Sequence, residues 1–523
     1  MKKISLSYLL PGVVLLGIIG FVVFSSINGS LLKGCVGCPV ASLNWKWAQA
    51  VGYPSATQLV GVGVSNTYDA NGNLYVTGYY KNAAWFGTTA AGQIVTSLGV
   101  DLFIAKYGTD KKLLWVRSSK VASKSAALAR DIAIDTFGNV YVTGTFNGTV
   151  TFGAIGQNQA SLSSSANFYI FIAKYDQNGN FLWARQAGTA LGLGNNDAGN
   201  AISVTKGFVY MSGTFWQTAS FGPPGNVQTI TSLGASNGFL AKYDQNGNLI
   251  WVQRAAGGGS SPDAFVATDG NNDNSYITGN YNQSVTVGSG QNPVALTSSP
   301  GNYSGFMAKF GPNGNVLWAK NVASNDQNTS SSFGRDITVD KNNNIYIAGD
   351  LHGSVTFAIG VTLQSTNLYI PEPFISKYDP NGIFLWVRTG KATGGSVYAV
   401  SSIATDTSNV YLAGVLSTAP GENAKFSDPS GNSFTPSSSN TAGMYIVKYD
   451  KNGTLVAGGS VAPPGPIAQS NFYCQSPSAC RISASQYGEV AVSAAFLGIL
   501  PLGSVSVSSV PIDQDNIFIG ALQ

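Results

Sequence analysis

Residues 171–188 read "FIAKYDQNGNFLWARQAG" and contain an apolar run, one lysine, a polar turn and a tryptophan. The phrase returns as "FLAKYDQNGNLIW" at 239–251 and as "FMAKFGPNGNVLW" at 306–318. Apolar and polar residues alternate on both sides of the turn, as they do in half-buried β-strands. Asp and Asn in the turn bond to their own backbone, and Gly adopts positive φ without strain. The stretch therefore predicts a β-hairpin that is repeated along the chain.

Three sequence markers count the repeats independently. The lysine of the opening phrase recurs at Lys106, Lys174, Lys242, Lys309, Lys377 and Lys448, and Ala521 takes its place in a further copy. A phrase resembling "YVTG" ends at Gly78, Gly144, Gly213, Gly279, Gly349, Gly414 and Ala494. A mostly aromatic position follows at Phe86, Phe152, Phe221, Val287, Phe357, Phe426 and Leu502. Each marker gives seven copies.

Each copy contains four short strand patterns, which we call A to D. In the second copy these patterns are "RDIAID" at 130–135, "NVYVTGTF" at 139–146, "FIAKY" at 171–175 and "FLWAR" at 181–185. Seven units of four antiparallel strands are typical of a seven-bladed β-propeller. Trp47 matches the strand D tryptophans although no strand C precedes it. We therefore expect an all-β propeller over 45–523 that is closed by an N-terminal outer strand, an arrangement that hides both sheet edges.

These phrases resemble those of a known family. F-I-A-K-Y-D-x-N-G-x-x-x-W and D-x-x-G-N-x-Y-V-T-G, both recurring in register over about 45–523, are similar to the SBBP repeat, a β-propeller repeat of bacterial and archaeal extracytoplasmic proteins. The resemblance implies a propeller at the cell surface or beyond it, and it implies no shared reaction. The seventh copy departs most from the pattern, since Ala491 replaces the strand B tyrosine.

The N-terminal segment is strongly apolar. Lys2 and Lys3 precede a stretch from 4 to 32 that carries no charge. A secretory signal has an apolar core of about 7–15 residues, and a spanning helix needs about 20. We expect residues 1–32 to form a hydrophobic helix, either an uncleaved membrane anchor or a cleaved signal peptide, followed by a linker at 33–44. The lysines predict an inside N terminus, so the propeller is expected at the cell surface or secreted.

The composition excludes one class of partner. Only 10% of the residues are charged and the formal net charge is +4, with Lys and Arg dispersed along the chain. A nucleic-acid-binding domain would cluster its basic residues. We therefore expect no nucleic-acid partner.

The four cysteines fall into two groups. Cys35 and Cys38 form a C-x-x-C motif before the closing strand, and Cys474 and Cys480 lie on the connection into the seventh strand A. The start and the end of a strand of about seven residues lie roughly 20 Å apart. A disulfide tolerates a Cα separation of only about 4.4–6.8 Å. We therefore expect Cys35 to pair with Cys38 and Cys474 with Cys480.

Residues that occur in every copy suit a scaffold better than a site. The six lysines could form a basic ring for an anionic ligand, but lysine stems that pack on the sheet and reach carbonyls are the favoured interpretation. Catalytic candidates outside the repeat are few. The single histidine, His352, is not accompanied by a serine motif that would indicate a triad. A glycosidase needs two facing carboxylates, and the non-repeat carboxylates fall in different copies: Asp197, Asp263, Asp326 and Asp350. Whether the protein is an enzyme stays uncertain, and a binding protein is the favoured interpretation.

One turn has a metal-like pattern. "DGNNDNSY" places Asp269, Asn271 and Asp273 at alternate positions, as at the start of a calcium loop. Position 6 is Asn274 instead of Gly, which favours an ordinary polar turn. Calcium is the only cofactor that the sequence suggests.

The two faces of the predicted disc differ. The A–B and C–D connections are tight polar turns on one face, whereas the B–C and D–A connections on the other are long and unlike one another, as at 186–200, 253–263, 415–444 and 457–480. That second face carries the non-repeat Trp85, Trp216 and His352. Variable loops on a rigid scaffold commonly carry recognition. We expect them to bind a surface glycan or protein; the alternative is an enzyme, a hydrolase or lyase, acting on surface polysaccharide.

Overall fold

The described part of the chain consists of β-strands joined by turns. The computed structural model describes residues 40–51, 61–87, 92–154, 156–164, 167–189, 196–257, 264–270, 272–290, 292–299, 301–325, 330–366, 368, 370–392, 397–417, 424–436, 443–461, 472–473, 480–496, 499–502, 505–508 and 516–522. No helix occurs within these ranges. The predicted all-β class is confirmed, while the N-terminal hydrophobic helix falls outside the described residues.

The strands pair antiparallel in the predicted order A–B–C–D, and we call each such set a blade. The A strands are Gly61–Tyr68, Ala126–Ile134, Ala198–Thr205, Ala264–Thr268, Ser331–Val339, Val397–Thr405 and Cys480–Ala484. The B strands are Leu74–Phe86, Val140–Asn147, Phe208–Phe221, Ser275–Asn282, Ile345–His352, Asn409–Ser417 and Val490–Phe496. The C strands are Gln93–Tyr107, Tyr169–Tyr175, Gln228–Asp244, Tyr303–Phe310, Glu372–Tyr378, Gly443–Asp450 and Asn516–Leu522. The D strands are Leu113–Ser118, Phe181–Thr189, Leu249–Gly257, Val316–Asn321, Phe384–Ala392, Leu455–Val461 and, for the last set, Trp45–Val51.

The B–C connections contain a regular element that the sequence analysis missed. In blades 1 and 3 strands B and C simply continue into a hairpin, and elsewhere separate short strands form it: Thr149–Gly153 with Gln159–Ser163, Ser284–Val287 with Val294–Thr297, Ser354–Ala358 with Val361–Gln364, Ala424–Ser427 with Ser433–Phe434, and Ile499–Leu502 with Val505–Ser508. The prediction of dissimilar loops was therefore wrong for the B–C connections. Some of these hairpins pair with strand D of the preceding blade, as Ser220 does with Gly188, and others pair with a short strand that follows it, as Val150 does with Val121 of Lys120–Val121.

The third sequence marker lies in these hairpins. The ring of Phe152 is buried and lies 5.3 Å from the ring of Phe171 in strand C of the same blade. The equivalent pair Phe221–Phe239 is 4.8 Å apart. Because aromatic side chains contribute large buried areas, this contact holds each hairpin against its own blade.

The opening phrase forms a clamp between neighbouring blades. In blade 2, Lys174 Nζ and Trp183 Nε1 donate to the carbonyl oxygen of Gln245, at 3.1 and 2.9 Å. Arg185 Nε donates to the carbonyl of Gly247, at 3.1 Å. Gln245 and Gly247 belong to the C–D turn of blade 3. A Cβ atom on Gly247 would lie 2.9 Å from the Trp183 ring, and its φ is 77°, so glycine is required there.

The clamp recurs around the molecule. The lysine members reach the next C–D turn at Gln177, Gln245, Pro312, Pro380 and Lys451. Because these ammonium groups donate to backbone carbonyls, the contacts support the predicted scaffold role and leave no free basic ring at these five positions. Each lysine also lies over a strand B tyrosine ring, as Lys174 does over Tyr141 at 5.0 Å, an arrangement that favours the charged amine.

Five of the A–B turns are each held by their own aspartate, which is Asp69, Asp135, Asp269, Asp340 or Asp406. Asp135 Oδ1 accepts the backbone N–H groups of Phe137 and Asn139, at 2.9 and 2.8 Å. Asp135 Oδ2 accepts the hydroxyl of Tyr141, at 3.1 Å. The turn is therefore fixed to strand B of the same blade, which explains why the Asp and Tyr occur together in the repeat.

The N-terminal strand links the last blade to its neighbours. Trp45–Val51 pairs with Asn516–Leu522, and Ala41–Ser42 pairs in parallel with the outer strand of blade 6. Part of the expected 33–44 linker is thus packed on that blade. On the other side, Asn66 of blade 1 donates to the carbonyl of Arg481, at 2.9 Å. Lys111 Nζ lies 2.6 Å from a carboxylate oxygen of Glu489. Blade 7 therefore contacts both blade 6 and blade 1.

The clamp lysines should differ in their contribution to stability. Lys242 is almost fully buried and lies 2.6 Å from the Asp273 carboxylate, whereas Lys106 lies 3.9 Å from Asp69. Lys242→Met should lower the free energy of unfolding by about 1–3 kcal/mol, because it leaves a partly buried carboxylate without its cation. Lys106→Met should cost less, and Lys112→Met, at an exposed position, should cost nothing measurable. Denaturant unfolding of the three variants tests this order, and equal losses for Lys242→Met and Lys112→Met would contradict it.

Candidate functional site

The structure places His352 in a packed cluster. It ends strand B of blade 5, is half-buried, and its ring lies 5.9 Å from Phe333. Burial lowers the pKa of His352, and the nearby Asp350 opposes the shift. Asp350 itself accepts Arg335 Nε at 2.8 Å and the backbone N–H of Val400 at 3.0 Å. That carboxylate therefore holds blades 5 and 6 together and is not positioned as the orienting member of a triad.

Trp85 and Trp216 lie on B–C hairpins of different blades. Trp85 is near the tip of the blade 1 hairpin, opposite Ile94, and Trp216 is in strand B of blade 3, opposite Ser236. Both tryptophans are half-buried. Within the described ranges, no hydrogen bond or ring contact joins either of them to the other or to His352. The three predicted ligand-binding residues therefore share a face but do not form one compact site.

A groove, which we call the blade 2–3 groove, lies next to strand D of blade 2, on the side that carries the B–C hairpins. The cavity has a volume of about 660 Å³ and lies between the hairpins of blades 2 and 3. Its walls include Tyr169, Gln186, Pro223, Pro224 and Val227. Aromatic and proline surfaces with a few polar groups suit a ligand that has apolar faces and hydrogen-bonding edges.

Asp197 connects the groove to Trp216. Its carboxylate accepts the backbone N–H of Trp216 at 2.9 Å, together with that of Thr189, and the group is buried. Burial raises the pKa of Asp197 to about 6, although the hydrogen bonds oppose the shift. Asp197 and Asp350 belong to blades 3 and 5 and do not face each other. The other two carboxylate candidates, Asp263 and Asp326, lie outside the described residues.

The metal-like turn of blade 4 uses its carboxylates for protein contacts. Asp269 Oδ1 accepts the backbone N–H of Asn274 at 3.1 Å, and Oδ2 accepts its side-chain amide at 2.8 Å. Asp273 accepts Lys242 Nζ at 2.6 Å and the Tyr210 hydroxyl at 2.9 Å, both from blade 3. Blade 3 has Thr205 where the turns of blades 1, 2, 4, 5 and 6 have Asp, and Asp273 supplies a carboxylate to its lysine and tyrosine instead. In the described ranges no group of three metal-binding side chains occurs. Asn271 lies outside those ranges, and calcium stays a prediction.

Two other predictions fall largely on residues that the structure does not describe. Cys35, Cys38 and Cys474 are among these residues, and Cys480 opens the seventh strand A. The expected disulfides therefore stay predictions. Among the residues that are described, no helix has the length and apolarity to cross a membrane; residues 1–32 are not among them.

A second cavity follows the A strands. It measures about 260 Å³ and is lined by residues from the A strands of all seven blades. The register defines one equivalent position in each A strand. This position lies opposite the threonine position of the "YVTG" phrase, which is Thr143 in blade 2. We call these residues the channel ring: Ser65, Asp131, Ala201, Phe265, Asp336, Ser402 and Arg481. In five of the seven strands a β-bulge immediately precedes this position, and bulges commonly re-aim a side chain.

The channel ring contains three charged residues. Arg481 Nη1 lies 2.9 Å from Asp336 Oδ2, so the arginine of blade 7 reaches blade 5. Its guanidinium also lies 5.5 Å from the ring of Phe265 in blade 4. Asp131 accepts the Ser65 hydroxyl at 2.7 Å and the backbone N–H of Ile202 at 2.8 Å. Burial raises the pKa of Asp131, and the charge of Arg481 opposes the shift.

Sequence reasoning missed the channel ring, although a signal was present. Aligning the A strands on the threonine position of "YVTG" would have placed Arg481 in the same slot as Asp131 and Asp336. A buried arginine opposite two carboxylates in equivalent repeats indicates a shared site. The proximity of blades 2, 5 and 7 in that site required the structure.

The predicted family resemblance is confirmed. Residues 128–149 and 327–350 match the SBBP family, described as a β-propeller repeat. Both regions run from strand A into strand B, in blades 2 and 5. The chain therefore carries β-propeller repeats.

Other similarities are distant. An uncharacterised WD repeat-containing protein of Acanthamoeba polyphaga mimivirus is 26% identical over 494 residues; the match takes in 78% of this chain and only 34% of that protein's length. An ulvan lyase structure has 12% identity and a TM-score of 0.37 over 85% of this chain and 93% of the lyase. A chain of a mitotic checkpoint complex has 9% identity and a TM-score of 0.39 over 92% of this chain and 97% of that chain. Similarities at these levels transfer no activity to this chain.

The titration of Asp197 should be visible in the stability of the protein. Its folded pKa of about 6 lies above the ordinary 3.8, so the stabilisation of the protonated form is complete below pH 3.8 and is lost as the pH rises through 6. Raising the pH from 4 to 7 should therefore destabilise the wild type relative to Asp197→Asn, by about 2–3 kcal/mol for two pKa units. Unfolding at both pH values measures the change.

Asp110→Asn provides the control for this experiment. Asp110 is exposed, so its substitution should alter stability little at either pH. If the difference in the free energy of unfolding between the wild type and Asp197→Asn stays constant between pH 4 and pH 7, the raised pKa of Asp197 is contradicted.

Proposed function

We propose that this protein is an extracytoplasmic binding or scaffolding module: a closed seven-bladed β-propeller, tethered to the membrane by residues 1–32, that recognises a surface glycan or a protein partner through its hairpin face. The hairpin face is the side that carries the B–C hairpins. The observation that carries the proposal is the concave blade 2–3 groove, which lies between two hairpins on the face that also carries Trp216.

The use of the repeated polar groups supports a scaffold that carries its site elsewhere. Lysine, tryptophan and arginine of the opening phrase bind the next blade, and the turn aspartates bind their own strands. Side chains that are committed to such contacts are poorly placed to act as catalysts. Groups that vary between blades, such as Trp216 and Pro223, remain for recognition.

The contacts of the N-terminal strand support the closed ring. Trp45–Val51 supplies the fourth strand of blade 7, and Asn66 and Lys111 of blade 1 bond to that blade from the other side. A chain that closes in this way protects its sheet edges. The strand also joins the propeller directly to the apolar N-terminal segment, which suits a tether.

An enzyme acting on surface polysaccharide is the second candidate. It is favoured by the channel ring, where Asp131 has a raised pKa and lies near Arg481. A perturbed carboxylate in a cavity is a common feature of active sites. Incubation of the protein with a panel of surface polysaccharides separates the two candidates, because a binder retains the glycan unchanged whereas an enzyme releases product.

Substitution of the two hairpin tryptophans tests the binding face. Trp216→Ala and Trp85→Ala should weaken retention on glycan or cell-surface supports by at least about tenfold for the residue that anchors the ligand, as aromatic anchors do. Phe137→Ala provides a matched control, since Phe137 is exposed on an A–B turn of the opposite face. Binding is measured on the purified protein beside its melting temperature. Normal binding by both tryptophan variants, or loss in Phe137→Ala, would show that the wrong face was chosen.

Removal of the closing strand tests the ring. A chain that begins after residue 51 would expose the edge of Asn516–Leu522, and unpaired edges promote association. We expect this variant to elute as oligomers or aggregates in size-exclusion chromatography, and a synthetic peptide covering 40–51 to restore the monomeric peak. A stable monomer without the peptide would contradict closure by this strand.

A further inference from the structure

The cavity that follows the A strands, which we call the channel, extends in one direction from the charged residues of the channel ring. Its lining includes every channel-ring residue except Phe265, together with the one to three residues that follow this position in each A strand and lead toward the A–B turns. The cavity therefore has the charged residues as its floor and extends toward the turn face. This places it on the opposite side from the blade 2–3 groove of the hairpin face.

The floor offers both an acceptor and donors. Asp131 is half-buried and lines the cavity, and no cation lies within 4 Å of its carboxylate in the described ranges. Arg481 is 6% exposed, and its Nε and Nη2 groups are buried and donate to no protein atom. A buried donor without an acceptor is costly, so these groups favour a ligand that can accept hydrogen bonds.

The walls add hydroxyl groups and limit the size of the ligand. Thr67, Ser203, Thr338, Thr405 and Ser483 line the cavity above the floor. Its volume of about 260 Å³ lies just below the range of about 300–1,000 Å³ that is typical for drug-sized ligands. The space therefore suits one small polar ring.

The charge balance selects a neutral ligand. Two carboxylates, Asp131 and Asp336, face one guanidinium, so a further anion would be repelled. An ammonium group cannot accept hydrogen bonds from Nε and Nη2 of Arg481, the two buried nitrogens that donate to no protein atom. A pair of adjacent hydroxyls satisfies both sides, since one hydroxyl donates to Asp131 while its neighbour accepts from Arg481.

We propose that the channel binds a single neutral sugar residue through two adjacent hydroxyls, with Asp131 as acceptor, Arg481 as donor and the threonine and serine hydroxyls around the ring edge. This inference rests on the proposed glycan recognition, and it names the class of sugar that a second site, the channel, would bind. A glycan end would enter from the turn face, independently of the blade 2–3 groove.

The test uses the full-length protein and free monosaccharides. Ligand-observed NMR and calorimetry measure the binding of D-glucose, D-galactose and D-mannose, with D-glucuronate and D-glucosamine as charged probes. At least one neutral hexose should bind, and glucuronate should bind at least about tenfold more weakly. Asp131→Asn should weaken hexose binding by about tenfold or more, because a hydrogen bond to a charged group is lost.

Two further variants keep the test decisive. Thr338→Val removes one wall hydroxyl with little change in shape and should weaken hexose binding by about threefold to tenfold, so it serves if Asp131→Asn does not fold. Trp216→Ala should leave hexose binding unchanged, which separates this site from the hairpin face. Three outcomes would overturn the channel site: preferred binding of glucuronate, unchanged affinity in both channel variants, or no hexose binding at about 50 mM ligand. A failure of the proposed hairpin face is measured separately, by the binding of Trp216→Ala to glycan supports.

Discussion

The contact between one blade and the C–D turn of the next is the interaction on which the rest of the structure depends. Lys174, Trp183 and Arg185 converge on the carbonyl groups of three consecutive residues of the neighbouring turn, 245–247. A turn carbonyl has no strand partner, and an orphaned carbonyl is costly when it is enclosed. The clamp satisfies these turn carbonyls with donors from three side chains, two of them charged. Polar contacts therefore hold the blades at a fixed spacing, as their apolar cores also do.

The clamp cannot operate at the ends of the chain, and different contacts replace it there. Blade 7 has Ala521 where the lysine would stand, and its outer strand comes from Trp45–Val51. Blade 1 instead reaches back, through Lys111 to Glu489 and through Asn66 to Arg481. The departure of the seventh copy from the repeat is therefore explained by its position between the two chain ends.

Local patterns in the sequence predicted the elements that are fixed by local physics. The alternation in "FIAKY" and the Asp–Asn–Gly turns gave the strands and their order, since each depends on neighbouring residues only. The predicted scaffold role of the lysines is supported by Lys174 and its equivalents. The hairpins after strand B were missed, because segments such as Gln159–Ser163 are short and mostly polar and form strands by pairing with an equally short partner, here Thr149–Gly153.

The candidate sites were harder to predict, because they depend on residues from distant copies. Trp216 was selected as a non-repeat aromatic residue, but its neighbour Asp197 acquires its raised pKa from burial between two blades. Asp269 and Asp273 fitted a calcium pattern in sequence, yet one holds its own turn and the other holds Lys242. A spacing of carboxylates does not reveal which donors are already nearby.

The channel ring shows how one repeat position can become specific. Six of the seven equivalent residues line one small cavity, so the sizes of their side chains must compensate for one another. The small side chains of Ser65, Ala201 and Ser402 leave room for the long Arg481. An arginine in two blades would bring two buried like charges together, and an arginine in none would leave the Asp336 carboxylate without its ion pair. The ring therefore tolerates one arginine, and the blade that carries it is the one whose sequence departs most from the repeat.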